Sequence, residues 1–212
     1  VISPVSALES GVGQHRLGAK YSPLTQINRD NVANLGLAWE YHTGEVPPAD
    51  TKGSLIAFED QPSLIEGNLV VCTPSRRLIA LDPQTGEERW VYDPKARKTG
   101  MQKCRGIANW VDNQAAEGTS CKSRIFLGTA DNRLVAIDAK NGKPCDGFGE
   151  QGAVQIASSK PEIFPGELLI TSRPAVVNNV VVVGSAVADN QRVDAPSGRV
   201  LAFDARTGAQ VW

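Results

Sequence analysis

The sequence predicts an all-β chain built as sectors of a β-propeller, and three observations lead there. One phrase recurs: Ala80-Leu81-Asp82 leads to Thr85-Gly86 and Trp90, Ala136-Ile137-Asp138 to Asn141-Gly142, and Ala202-Phe203-Asp204 to Thr207-Gly208 and Trp212. The copies stand about 60 residues apart, a long repeat of the kind found in circular and solenoid arrays. Each copy follows two short runs rich in branched residues, too short for helices and suited to strands.

The strand runs come in pairs: 69–73 with 78–81, 125–129 with 134–137, and 180–184 with 200–203. They are almost continuously apolar, as expected of sheets covered on both faces when blades stack. The Asp-x-x-Thr/Asn-Gly step is a turn with a mechanism. Its carboxylate and its Thr or Asn side chain bond nearby backbone N–H groups, and Gly supplies positive φ. Trp then opens the next strand, where its flat ring can pack on the neighbouring sheet. Propellers close with roughly four to eight blades. Three copies cannot close a ring, so the chain is expected to be a fragment of a larger disc.

Residues 1–36 read as a lead-in, with Gly11 and Gly13 marking a loose start and one helical turn over 28–35 capped by Asn28 or Asp30. A first strand is expected over 37–44, followed by a loop at Pro47-Pro48. The partial propeller of residues 37–212 then divides into blade one (58–92), an insertion (93–121), blade two (122–146), a loop (147–170) and blade three (173–212). Loops this long in a compact domain are usually functional.

Composition narrows the function. Formal net charge is −1, from 22 basic and 23 acidic residues, which leaves no electrostatic footprint for nucleic acid. No apolar run approaches the roughly 18 residues that span a bilayer, and Val1 onward carries no signal-peptide pattern, so membrane attachment would come only through segments outside this chain. The cysteines, Cys72, Cys104, Cys121 and Cys145, match no zinc-ligand spacing, and the histidines are His15 and His42. Cys72 reads as a small buried hydrophobe. Cys104 and Cys121 flank the insertion and are the expected disulfide, which would place the protein outside the reducing cytoplasm.

An ordered set of segments carries a more specific signal. Tyr21-Ser22-Pro23-Leu24-Thr25-Gln26-Ile27-Asn28 comes first, then the strand end from Trp39 to Gly44 and Phe58-Glu59-Asp60-Gln61-Pro62. Leu78 to Trp90, Tyr92-Asp93-Pro94, Cys104-Arg105-Gly106, Thr171-Ser172-Arg173-Pro174 and Gly184 to Asn190 follow. In this order they resemble the pyrroloquinoline quinone (PQQ) dependent dehydrogenases, in the branch of membrane-bound glucose, quinate and polyol dehydrogenases. The repeated phrase resembles that family's tryptophan-docking motif. The resemblance implies an eight-bladed propeller, of which this chain holds about three blades and one strand of the closing blade.

The resemblance also implies a site. PQQ is a flat, polyanionic ortho-quinone that needs cationic and hydroxyl partners and a divalent ion at the reacting carbonyl. By resemblance Arg105 binds its carboxylates, Glu59 lines the pocket, and Thr171 and Ser172 hydrogen-bond the quinone. Asp189, with Asn190, ligates Ca²⁺ or Mg²⁺, which favour hard oxygen donors. In isolation each has a bland reading: a solvated arginine in a loop, an exposed acid, turn formers before Pro174, carboxylate and amide in a polar loop. Two departures stand out. Gln61 replaces the family's usual threonine after Glu-x, and Met101 stands where glucose-oxidising members carry histidine. Trp110 reads as core packing, and Trp39, Trp90 and Trp212 as structural.

The implied activity is oxidation of a sugar, polyol or cyclic alcohol in the full-length parent, a periplasmic oxidoreductase passing electrons to ubiquinone or a cytochrome. The general base is expected beyond Trp212, so the fragment alone should be inactive. The competing reading is a non-enzymatic propeller with the same repeats, acting as an envelope assembly scaffold or sensor module. Such a protein would have no reason to hold Glu59, Arg105, Thr171 and Asp189 in this order.

Overall fold

A computed structural model describes residues 24–45, 55–96 and 101–212. The loop expected at Pro47-Pro48, the start of the 1–36 lead-in and Tyr21-Ser22-Pro23 lie outside the described residues.

Strand β1 (Leu55–Phe58) leads into an antiparallel sheet of β2 (Ser63–Ile65), β3 (Asn68–Cys72), β4 (Leu78–Leu81) and β5 (Glu88–Tyr92). Strand β6 (Met101–Cys104) pairs in parallel with β1. It leads into a second antiparallel sheet of β7 (Ala108–Val111), β8 (Ser123–Gly128), β9 (Arg133–Asp138) and β10 (Ala153–Gln155). Strand β11 (Leu168–Leu169) precedes the third sheet, whose members are β12 (Ala175–Val177), β13 (Val180–Gly184) and β15 (Val200–Asp204), while β14 (Ala186–Val187) turns back to pair with β11. The chain after β15 returns beside it, with Val211 N–H donating to the Ala202 carbonyl at 2.8 Å and Ala202 N–H to Trp212 at 3.0 Å.

These sheets stack as blades. Of the runs that read as continuously apolar, β4 and β8 are buried along their whole length and β9 in all but its first residue, whereas β3 and β13 alternate buried with half-buried residues and β15 opens on the exposed Val200. One core lies between the first and second sheets, around Leu78, Trp90, Ile125 and Ile137. The other lies between the second and third, around Phe126, Phe148, Val181 and Phe203. The three phrases form one turn three times. Gly86, Gly142 and Gly208 each donate an N–H to the carbonyl of the Asp four residues earlier, at 2.9 Å in every copy. The Asp carboxylates accept from the backbone ahead of them, as from Gln84 at 2.7 Å, Lys140 at 2.9 Å and Thr207 at 2.8 Å.

Tryptophan packs on the first two of these turns. A Cβ at Gly86 would meet the Trp39 ring at 2.6 Å, and one at Gly142 would meet Trp90 at 2.6 Å. The second phrase has Asp146 where the others have Trp, and Phe148 with Val154 takes the place, lying against Gly208. A second tie joins the later sheets. Arg124 and Arg206 flank the Trp110 ring at 5.5 and 5.8 Å, and Trp110 Nε1 donates to Asn179 Oδ1 at 3.2 Å. Arg206 is held by Asp112 through two bonds of 2.6 and 2.7 Å, which keep the Asp112 carboxyl well below the usual carboxylate range.

Four expectations change. The disulfides are Cys72–Cys104 and Cys121–Cys145, not Cys104–Cys121. The reason is topological: β6 runs beside β1 and brings Cys104 to the end of β3, while Cys121, in the turn before β8, faces the turn after β9. The stretch 93–121, read as an insertion, supplies β6 and β7, and the loop 147–170 supplies β10 and β11. These strands are two to four residues long with polar neighbours, too short for periodicity to reveal. Residues 37–44 form no ladder with a described strand. Side chains hold them instead: Trp39 Nε1 donates to the Pro83 carbonyl at 3.3 Å, Tyr41 to Glu88 at 2.5 Å, and Arg77 to the Thr43 carbonyl at 2.9 Å. The early helical turn is a three-residue 3-10 helix, Val32–Asn34, with Asn31 rather than Asn28 or Asp30 in the N-cap position and no side-chain cap.

Candidate cofactor site

Each sheet is entered from the same side by a short extended segment. The parallel register of β1 and β6 sets Phe58 opposite Cys104, so the residues that follow, Glu59 and Arg105, emerge side by side. Arg105 Nε donates to Glu59 Oε2 at 2.7 Å. Its Nη1 donates to Thr171 Oγ1 at 3.2 Å, reaching the segment that continues β11. Glu59, Arg105 and Thr171 thus come from the lead-ins of three successive sheets, three or four residues before β2, β7 and β12. The arginine side chain is 42% exposed and the glutamate 35%, so the cluster faces solvent on one side.

Further groups surround it. Lys103 Nζ lies 3.9 Å from Glu59 Oε1. The stem of Arg173 lies against Gly106, where a Cβ would sit 3.2 Å from Arg173 Cδ. Asp60 Oδ2 accepts the Cys72 N–H at 2.6 Å, which ties the carboxylate to the Cys72–Cys104 bridge. Its Oδ1 is buried without a hydrogen-bond partner among the described residues. Burial raises the Asp60 pKa to about 6, against the opposing pull of the Cys72 and Gln61 N–H groups and the Arg173 charge. Three cations, Lys103, Arg105 and Arg173, therefore face two carboxylates, Glu59 and Asp60.

The other expected residues stand beside this cluster. Ser172, next to Thr171, is exposed. Asp189 and Asn190 occupy a 3-10 turn, Asp189–Gln191, just after β14. Because β14 pairs with β11 (Leu168 with Val187, Leu169 with Ala186), the turn is attached to the segment that ends in Thr171. No described bond joins it to Glu59, Arg105 or Thr171. Met101 opens β6, one strand-length before Arg105. No group of three or more His, Cys, Asp or Glu side chains that could hold a metal occurs among the described residues.

Sequence reasoning missed Asp60, Lys103, Glu167 and Arg192. Asp60 stood in the quoted motif, but nothing in a string of letters marks a carboxylate as buried. Glu167 is wholly buried; its signal was an acid placed directly before the apolar Leu168-Leu169-Ile170.

A polyanion fits the cationic cluster better than a neutral ligand would. Arg105 keeps donors free beyond its two bonds, and Thr171, accepting from Arg105, can still donate its own O–H. The 189–191 turn carries an aspartate and an asparagine, residue types whose oxygens hard divalent cations take.

The chain is similar to the quinoprotein glucose dehydrogenase of Gluconobacter oxydans, 37% identical over 211 residues that cover 94% of this chain and 26% of the relative. It is also similar to the glycerol dehydrogenase large subunit of the same organism, 36% identical over 214 residues, covering 99% of this chain and 28% of the relative. Among solved structures, the quinohemoprotein alcohol dehydrogenase of Comamonas testosteroni superposes with a TM-score of 0.70 at 28% identity, over 96% of this chain and 26% of that one. The chain thus spans about a quarter of the length of the relatives it matches. Residues 10–212 match the PQQ family described as glucose/ethanol/alcohol dehydrogenase, beta-propeller domain, and the chain belongs to that family.

Proposed function

We propose that this chain is part of the propeller of a PQQ-dependent dehydrogenase that oxidises a sugar, polyol or cyclic alcohol, and that its lead-in segments hold one side of the quinone. The single observation that supports this most is Arg105 bridging Glu59 and Thr171 across three blades. Isolated bland residues in three separate loops would have no reason to converge.

In this reading Arg105 pairs with a quinone carboxylate, and Glu59, fixed to its Nε, sets the plane of the guanidinium. Thr171 and Ser172 donate hydroxyl hydrogen bonds to quinone oxygens. Asp189 and Asn190 contribute oxygens to Ca²⁺ or Mg²⁺. When bound, the quinone and its cation supply a two-electron acceptor for hydride leaving the substrate carbon. The residues of this chain bind, orient and counter-charge. Blades one to three take the limits 58–92, 122–146 and 173–212 as their cores, widened by the lead-in strands. A periplasmic location accords with two disulfides, since such bonds persist in oxidising compartments. Ubiquinone or a cytochrome is the proposed electron acceptor.

The test uses the full-length parent, freed of cofactor and titrated with PQQ in Ca²⁺ while its absorbance is followed. Loss of a hydrogen bond to a charged group predicts that Arg105→Ala weakens binding about tenfold or more. Asp189→Ala should weaken it in Ca²⁺ but far less in its absence. Unchanged affinity in both variants would refute the assignment.

A further inference from the structure

The clasp beneath the 189–191 turn carries an inference of its own. Glu167 is 0% exposed, and both of its carboxylate oxygens are engaged. Arg192 donates Nε to Oε1 at 2.6 Å and Nη2 to Oε2 at 3.3 Å, and the Ile163 N–H reaches Oε2 at 2.8 Å. The Glu167 carbonyl accepts the Ala188 N–H at 2.9 Å. Ala188 and Arg192 are the residues on either side of the 3-10 turn, and the turn has no side-chain cap. One buried residue therefore grips both ends of the three-residue turn that bears Asp189 and Asn190.

The remaining donors of Arg192 secure it further. Nη2 also donates to the Pro161 carbonyl at 3.2 Å and Nη1 to Asp194 Oδ1 at 3.3 Å, closing the loop 161–167 on the loop 188–194. Burial works against a charge on Glu167, but Arg192 and the Ile163 N–H together hold its pKa below the ordinary value. The pair is thus ionised at neutral pH. Four residues beyond Glu167 on the same extended segment stands Thr171, bonded to Arg105. The segment 167–171 connects the two halves of the proposed site, with cofactor contacts at one end and the metal-bearing turn at the other.

We propose that Glu167 is a positioning residue, which through its ion pair with Arg192 and its carbonyl bond to Ala188 sets the turn so that Asp189 and Asn190 present their oxygens to a divalent cation. This rests on the metal role given above to Asp189. Burial of the carboxylate alone requires a cationic partner; what directs this residue at the turn is that its partner, Arg192, and its backbone bond to Ala188 lie at the turn's two flanks. Groups that orient metal ligands from behind typically govern affinity by about 10–100-fold.

The test is Ca²⁺ titration of the full-length parent reconstituted with PQQ, read by calorimetry and not by turnover. Glu167→Gln and Arg192→Gln should each weaken Ca²⁺ binding about 10–100-fold. The double variant should lose no more than either single one, because both changes open the same pair. Arg192→Lys, which restores the charge and one bond, should recover part of the loss. A role confined to stability would lower the melting temperature in these variants and leave the Ca²⁺ affinity alone, and that result overturns the proposal. Asp189→Ala separates the two readings. If it binds Ca²⁺ as the parent does, the metal role itself fails; if it loses Ca²⁺ while the Arg192 variants keep wild-type affinity, only the positioning role fails. Should Glu167→Gln not fold, the two Arg192 variants decide in the same way, since that side chain is 17% exposed and reaches the surface.

Discussion

The tryptophan-to-glycine contact can be weighed against backbone strain by a matched pair of substitutions, Gly142→Ala and Gly67→Ala. Both glycines sit at φ +71°, so both alanines pay the left-handed penalty of about 1–2 kcal/mol. They differ in surroundings. A Cβ at Gly67 meets nothing within 4 Å, whereas one at Gly142 lands 2.6 Å from Trp90 Cε3 and 2.8 Å from its Cδ2. The ring is held in the core between the first two sheets and is 9% exposed, so it cannot swing into solvent. Overpacking of this kind costs about 1–3 kcal/mol. Gly142→Ala should therefore be less stable than Gly67→Ala by about 1–3 kcal/mol, with the strain cancelled in the difference. Thermal unfolding of both variants in the full-length parent, under one scan rate, gives the comparison. Equal melting temperatures would show that the ring yields without cost and that the blades are not joined through this contact.

Four other outcomes follow from the same structure. Peptide mapping without reduction should recover Cys72 linked to Cys104 and Cys121 to Cys145; a Cys104–Cys121 peptide would contradict the topology of β6 and β7. Closing the 32-residue loop of the first bridge should stabilise the protein by about 3–4 kcal/mol on the chain-entropy scale, lost in the Cys72→Ser/Cys104→Ser double variant. Arg124→Met removes the guanidinium over Trp110 together with donors to the carbonyls of Cys121 at 2.8 Å and Ala205 at 3.1 Å, at a cost of about 2–4 kcal/mol in unfolding measurements. Asp60 has a folded pKa raised to about 6, so the folded state binds its proton more tightly than the unfolded chain. Its charged form then destabilises the fold as pH rises from about 4 to 6, and the penalty is full above that. Asp60→Asn, which keeps an oxygen for the Cys72 N–H, should be stabilising at pH 8 and neutral at pH 4; the same effect at both would refute the assignment.

The fold was legible because its signal is local and repeated. Each Asp-to-Gly turn is specified by residues within five positions, and the paired runs before it are long enough for branched apolar residues to declare strands. The site was legible only through ordered resemblance. Nothing in the letters around Arg105 shows that a parallel β1–β6 register will set it beside Glu59, or that β11 will deliver Thr171 to its Nη1. What stayed hidden is non-local and short. Strand β7 is Ala108-Asn109-Trp110-Val111, four residues with no clear alternation, so the stretch around it read as an insertion. That misreading also set Cys104 and Cys121 together as partners, when a strand of the second sheet separates them. Glu167 was hidden for another reason: an acid in a loop is usually solvated, and only its pairing with Arg192, 25 residues on, permits burial.

The meander itself divides labour within each blade. In an antiparallel sheet of order β2-β3-β4-β5, the chain enters at one end of the first strand, and the turn between the third and fourth strands lies at the other end, towards the opposite edge. Glu59 precedes β2, while Gly86, with Trp39 upon it, lies between β4 and β5. The second sheet repeats this, with Arg105 before β7 and Gly142 beneath Trp90 after β9. The residues that fasten blades to one another are therefore kept diagonally away from those of the proposed site. A lead-in can exchange its polar residue, glutamate in one blade, arginine in the next and threonine in the third, without disturbing the turn that docks the neighbour. Repetition makes the blades, and the unrepeated residue at each entrance makes the proposed site. On this reasoning, substitutions at 59, 105 and 171 should alter binding with little change in melting temperature, and those at 86 and 142 should do the reverse.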